Sequence, residues 1–362
     1  MLLVQIIHLK ATFVGMSVVR EMFSRKRILP LLLMVTILIF WLYNRPTSFV
    51  NIEGVTFGTI GYHVKYKDPD QRNFKSSIDS LLTVFNNALS HYLPESELSK
   101  FNSTDVPLPY ASPFMLPVLQ ESRRIYDLSG GAYNPAIMPL VNAWGFGPAE
   151  QISPDSAMID SLLAFTDFSL VEFNYQQVWK NDWRVQLDFS ASAKGYGVDV
   201  IGHFLASKGI SSFFVEIGGE VVCSGKNAQN KPWRIGIINP ESDLLNQSFI
   251  ATVDLSDRAL ATSANNFNYR LIDGVRYSHT IDPATGYPVQ RSILSASIFA
   301  KECITADALA TACMVMGIDK AIIMIENMPD IDALFFYSDE HGKIANYITD
   351  DIKQNVKFIN QE

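Results

Sequence analysis

Residues 28–43 read ILPLLLMVTILIFWLY, an apolar run broken only by Pro30 and Thr36. No other feature constrains the chain as strongly, because such a run must leave water or be cut away. Its length lies between the about 7–15 residues of a leader peptide's apolar stretch and the about 20 of a full span. Arg25, Lys26 and Arg27 precede it, and after Arg45 no Lys or Arg follows until Lys65. Positive charge stays on the cytoplasmic side of a bilayer, so this asymmetry directs the rest of the chain across the membrane. NRPTSFVNIEG (44–54) offers neither a small-x-small cleavage site nor a cysteine. The expectation is a basic cytoplasmic leader at 1–27, an uncleaved signal anchor at 28–43 and a linker at 44–52. Met22 opens MFSRKRILP, itself a basic-then-apolar leader, so 1–21 read as an upstream extension of the start, which N-terminal sequencing would test.

Beyond the linker, no low-complexity tract or internal repeat divides the chain, and 53–358 reads as one unit. With 48% hydrophobic and 18% charged residues among 362, the chain is not disordered. The leader carries five basic residues against Glu21, so the whole-chain charge of −8 becomes −12 from residue 28 onward. That balance argues against a nucleic-acid binder. Cys223, Cys303 and Cys313 are too few for a disulfide scaffold and lack zinc-ligand spacing. Alternation predicts strands at 54–66, near 168–173, 177–180 and 184–190, and then at 213–217, 221–225, 233–238 and 293–300. Helical spacing predicts helices at 75–92, 192–208 and 305–316, with another after Gly317. Ser112-Pro113 and Ser153-Pro154-Asp155 read as helix starts. Mixed hairpins and helices indicate an α+β fold.

The common nucleotide, zinc-protease and serine-hydrolase signatures are absent. Five other segments concentrate chemistry at strand ends and turns. LDFSASAKGYGVD (187–199) runs into a helix start, where free N–H groups and Lys194 suit an anion. EIGGE (216–220) places Gly218 and Gly219 where backbone can approach a ligand closely. HTIDPATGYP (279–288), preceded by Ala261-Thr262-Ser263, puts His279 and Asp282 in one polar turn, suited to proton transfer. In TADALAT (305–311), Asp307 and Thr311 stand at i and i+4 on one helix face, where two oxygens can serve a hard cation such as Mg²⁺. The fifth joins HYLPESELSKFN (91–102) with GGAYNP (130–135) and WGFG (144–147), aromatics and glycines that can wall a flat pocket. Taken singly, each also has an ordinary reading, as a surface lysine, a tight turn, an Asx-turn, a solvated helix start or core packing.

In this order the segments resemble the ApbE family, the FAD:protein FMN transferases, over about residues 54–350. The resemblance implies one flavin transferase domain of a T-fold-related kind behind the anchor. It also implies Mg²⁺-dependent transfer of FMN from FAD to a threonine hydroxyl of a target flavoprotein, with AMP leaving. Carried over by position, Tyr92, Ala132, Tyr133, Asn134, Asp188 and Lys194 would contact FAD, and Gly218 and Gly219 would approach it with backbone. Asp307, Thr311 and the carbonyl of Ala191 would bind Mg²⁺, and His279 and Asp282 would line the reaction centre. His279 is the candidate base and Asp282 its rival. The family usually has Asp at the position of Asn134 and Gly at that of Ala264. Acceptors in the family are flavoprotein subunits of sodium-pumping or electron-transport complexes. The expected location is a bacterial inner membrane, with the catalytic domain on the periplasmic side. Two other readings use the same residues: a pyrophosphatase yielding FMN and AMP, and a membrane-anchored flavin binder without catalysis.

Overall fold

A computed structural model describes residue 30, residues 33–37 and residues 49–359, apart from 149–153, 243–245, 265–268, 273–274 and 290–291, with backbone alone for 269–272 and 275–278. The chain divides into two units, 1–48 and 49–362. In the first unit, residues 33–37 are helical and Leu33, Met34, Val35 and Ile37 are exposed. The leader at 1–27 and most of the anchor at 28–43 lie outside the described residues. Among those described, no helix is long and apolar enough to cross a membrane.

The second unit starts inside the expected linker, because β1 (Phe49–Thr56) already pairs from Phe49, opposite Lys67 of β2 (Ile60–Lys67). The single alternating strand expected over 54–66 is the tip of this hairpin. Phe57 and Gly58 take φ of 48° and 88° there, as a tight hairpin turn requires. α1 (Lys75–Leu89) buries Ile78, Leu82, Phe85 and Leu89 at helical spacing. The Ser96 hydroxyl accepts the Ser99 N–H and opens α2 (Glu97–Ser103). β3 (Leu108–Pro109) follows, and then α3 (Met115–Leu128), which begins later than Ser112-Pro113 suggested because Ser112 bonds Phe114 N at 3.3 Å in a preceding turn. α4 (Met138–Ala143) precedes α5 (Ser156–Leu163), whose cap is Asp155.

β4 (Val171–Phe173) and β5 (Gln177–Lys180) complete a small sheet with β3. No strand forms at 184–190. The Asn102 side chain takes both backbone groups of Leu187, at 2.7 and 2.9 Å, and Asp188 N donates to Pro135 O at 2.7 Å. A side-chain amide occupies the bonds that a neighbouring strand would have made.

The rest builds the main layers. α6 (Ala193–Ser207) leads to β6 (Phe213–Ile217), β7 (Glu220–Ser224), β8 (Trp233–Ile238), β9 (Phe249–Leu255) and β10 (Arg258–Ala264). β11 (Tyr269–Ile272) and β12 (Val275–Ser278) form a hairpin. They precede β13 (Ile293–Ala300), α7 (Cys303–Met316), α8 (Ile318–Glu326), β14 (Asp332–Ser338), β15 (Ile344–Ile348) and β16 (Val356–Phe358). Eight strands form one antiparallel sheet in the order β1-β2-β6-β7-β10-β13-β14-β15. β10 shows how its faces divide. Ala259 and Ala261 join the core under α6 and α7, while Leu260 joins Trp233, Ile235, Ile237 and Val253 of the β16-β9-β8 sheet on the other side. Helices, large sheet and small sheet thus stack as layers of an α+β fold.

Candidate active site

The site is built on the contact between α6 and α7. Gly195, in the first turn of α6, lets the helices approach closely, since a Cβ there would stand 2.4 Å from the Cys303 carbonyl oxygen. Its N–H donates to Asp307 Oδ2 at 3.0 Å. One turn further, the buried Asp199 accepts from Cys303 N at 2.7 Å and Ile304 N at 2.8 Å. Those are orphan donors at the start of α7, so α6 caps α7 from outside. α7 then presents Asp307, 3% exposed, and Thr311 one turn on, whose Oγ1 lies 3.2 Å from Ser263 Oγ.

Lys194 carries the positive charge of the site. Its ammonium pairs with Glu220 and lies 3.9 Å from Asp307 Oδ1. Burial opposes the lysine's charge, but Asp307 and Glu220 outweigh it and hold its pKa above the ordinary lysine value. Burial raises the Glu220 carboxyl against the pull of Lys194. Glu220 Oε2 is buried and finds no hydrogen-bond partner among the described residues. Sequence reasoning passed over Glu220 as a site residue. The available signal was an acid opening an otherwise apolar strand, where a charge needs a partner.

The turn between β6 and β7 carries Gly218 at φ 60° and Gly219 at φ 102°. The Gly219 N–H donates to Glu216 Oε1 at 2.7 Å, and Glu216 Oε2 meets His63 Nδ1 at 2.7 Å. Asp188 is buried beside His91, whose Nδ1 is 3.2 Å away, and accepts from Ser190 N and Oγ at 2.8 and 2.6 Å. Burial raises its carboxyl, yet His91 and Ser190 more than offset that and keep it below the usual carboxylate range.

These groups open into a cleft of about 750 Å³, within the usual range for small-molecule sites. Ala132, Tyr133, Asn134, Asp188, Ala191, Lys194, Gly218, Gly219, His279, Asp307 and Thr311 all line it. Two residues singled out from the sequence do not. Tyr92 stands 63% exposed with its ring against His91, which pairs with Asp188, and burial together with the Asp188 charge raises its hydroxyl pKa. Asp282 faces its own turn, accepting Ala284 N through Oδ1 at 2.9 Å and Gly286 N through its carbonyl at 2.8 Å. Its neighbours Ile281 and Pro283 reach the cleft instead. Trp144 ties that turn down, donating from Nε1 to Gly286 O at 2.8 Å. Two lining residues have structural duties. The Tyr133 hydroxyl bridges Ser122 and Ser192 at 3.0 and 2.9 Å, and the Asn134 amide joins Ala136 N and Thr166 O at 2.9 and 3.1 Å.

The oxygen donors on the cleft wall suit a small hard cation. Among the lining residues, Asp307 offers a carboxylate, Thr311 a hydroxyl and Ala191 a main-chain carbonyl, a set that would leave such a cation room for waters and a phosphate. Among the described residues no group of three His, Cys, Asp or Glu could hold a metal.

The ApbE family model matches residues 57–335. An FAD:protein FMN transferase of Vibrio cholerae is 38% identical over 290 residues, covering 78% of this chain and 86% of the relative. One from Escherichia coli K12 is 32% identical over 288 residues, covering 77% and 81%. Among solved structures, the flavin transferase ApbE from Vibrio cholerae superposes with a TM-score of 0.77 at 33% identity, covering 86% of this chain and 99% of that one.

Proposed function

The chain belongs to the ApbE family, and from that premise we propose that its cleft transfers FMN from FAD to a protein, making it an FAD:protein FMN transferase. The observation that carries this reading is that Lys194, Asp307, Thr311 and His279 all line one cleft. The finer steps are part of the proposal. A threonine Oγ of the acceptor attacks the phosphorus of the FMN half, the pyrophosphate P–O bond breaks, and AMP leaves. The hydroxyl proton passes to a base. We assign that duty to His279, which lines the cleft, rather than to Asp282, whose Oδ1 accepts Ala284 N within its own turn.

Such transfer depends on positioning and charge neutralisation more than on covalent help. Mg²⁺ held by Asp307, Thr311 and Ala191 O would neutralise the pyrophosphate and position it. Lys194 stabilises negative charge on the departing AMP side, and Glu220 holds the lysine in place. Gly218 and Gly219 let main chain lie close against the flavin nucleotide. The acceptors are flavoprotein subunits of membrane electron-transport or sodium-pumping complexes, reached from the periplasmic side of the inner membrane by the anchor expected at 28–43.

The test is incubation of the chain with FAD, Mg²⁺ and an acceptor domain, read as flavin fluorescence in the denatured acceptor band. Labelling abolished by a chelator supports the reading. Release of FMN with no labelled band supports the pyrophosphatase instead, and no turnover of FAD leaves a flavin binder.

A further inference from the structure

β8 lies at one edge of the small sheet, whose order is β16-β9-β8, and its register runs to β9 alone. Among the described residues no strand pairs with its outer edge. Arg234, Ile235, Gly236, Ile237 and Ile238 all line the same cleft as Lys194, His279, Asp307 and Thr311. Successive strand residues point to opposite faces, so a cleft lying on a strand's face would meet every second residue. Ile235 and Ile237 bury their side chains in the core beneath the small sheet, so Arg234, Gly236 and Ile238 belong to its opposite face, and the cleft meets residues of both faces. The cleft therefore runs along the strand's edge. Natural sheets usually block such an edge with prolines, charges or a covering element. WRIGII has no proline and one charge, Arg234, which is occupied by Asp254 at 2.7 Å.

We propose that the acceptor polypeptide docks as an extended segment on the outer edge of β8, adding a strand there. This rests on the transferase reading, which requires a chain carrying a threonine hydroxyl to enter the cleft. An open row of main-chain donors and acceptors in the same cleft as Asp307 and His279 recognises such a segment through backbone bonds, with alternate side chains providing selectivity. Phe249, on the paired strand β9, lays its ring over the sheet face at Gly236, where a Cβ would come within 2.5 Å of it. It lines the cleft and is 55% exposed, so it offers an apolar contact to one of those side chains.

The experiment uses the full chain, FAD, Mg²⁺ and a threonine peptide cut from a protein that the chain labels. N-methyl groups are placed one at a time along the peptide backbone. A docked strand loses labelling roughly tenfold at every second position and keeps it at the positions between. Loss at all positions, at none, or without alternation overturns the docking mode while leaving the transferase reading intact. Failure of the chain to label any protein or peptide overturns the transferase reading, and the docking mode with it.

Discussion

The N–H of Gly195 donates to Asp307 Oδ2 at 3.0 Å, so the first turn of one helix holds the carboxylate of another. A side chain at Gly195 would meet backbone at Cys303 and the Asp307 Cβ at 2.8 Å. Gly195→Ala should therefore force the helices apart, costing about 1–3 kcal/mol. It should also move Asp307. Denaturant unfolding gives the first quantity, and the Mg²⁺ concentration needed for half-maximal activity gives the second. A variant with wild-type stability and metal dependence would show that the close approach is unimportant.

Asp199 makes a pH prediction. Burial pushes its carboxyl up to about 8, although the N–H groups of Cys303 and Ile304 pull the other way. The unfolded value is about 3.9. A carboxyl raised on folding stabilises fully below about pH 4, and that contribution fades as pH rises through about 8. Asp199→Asn removes the titration. The melting-temperature advantage of the wild type over Asp199→Asn should then shrink between pH 5 and pH 9. A constant advantage would refute the shift.

Lys194 and Glu220 should behave as a unit. Lys194→Ala leaves the buried Glu220 carboxylate without its cation, a loss of about 3–5 kcal/mol. Lys194→Met combined with Glu220→Leu should recover most of that stability without recovering FAD binding. Chemical unfolding and flavin fluorescence titration separate the two effects. If FAD binding returned with stability, the lysine would have only a structural role.

His279 and Asp282 can be separated by kinetics. His279→Gln should lower kcat about 100-fold with little change in FAD affinity. Asp282→Asn keeps an Oδ1 that can accept from Ala284 N, and should keep most activity. The reverse ranking would make Asp282 the base.

Parts of the site were legible because they are local. Asp307 and Thr311 share a face through helix geometry alone, and Gly218-Gly219 declare a turn through their freedom at positive φ. The Lys194–Glu220 pair was not legible, since the two lie 26 positions apart in sequence with most of α6 and all of β6 between them. The strand expected at 184–190 failed because Asn102, 85 residues from Leu187 in sequence, satisfies that backbone. Periodicity reports which side chains are apolar, and it carries no information on a distant amide competing for main-chain bonds. The eight-stranded order likewise depends on pairings such as β2 with β6, which no local pattern specifies.

The most direct measurement is the intact mass of an acceptor protein after incubation with the chain, FAD and Mg²⁺, taken with the amount of AMP released. The account predicts an acceptor heavier by one FMN less water, AMP in equal amount, and neither product with Asp307→Ala. FMN and AMP accumulating beside an unmodified acceptor would contradict it.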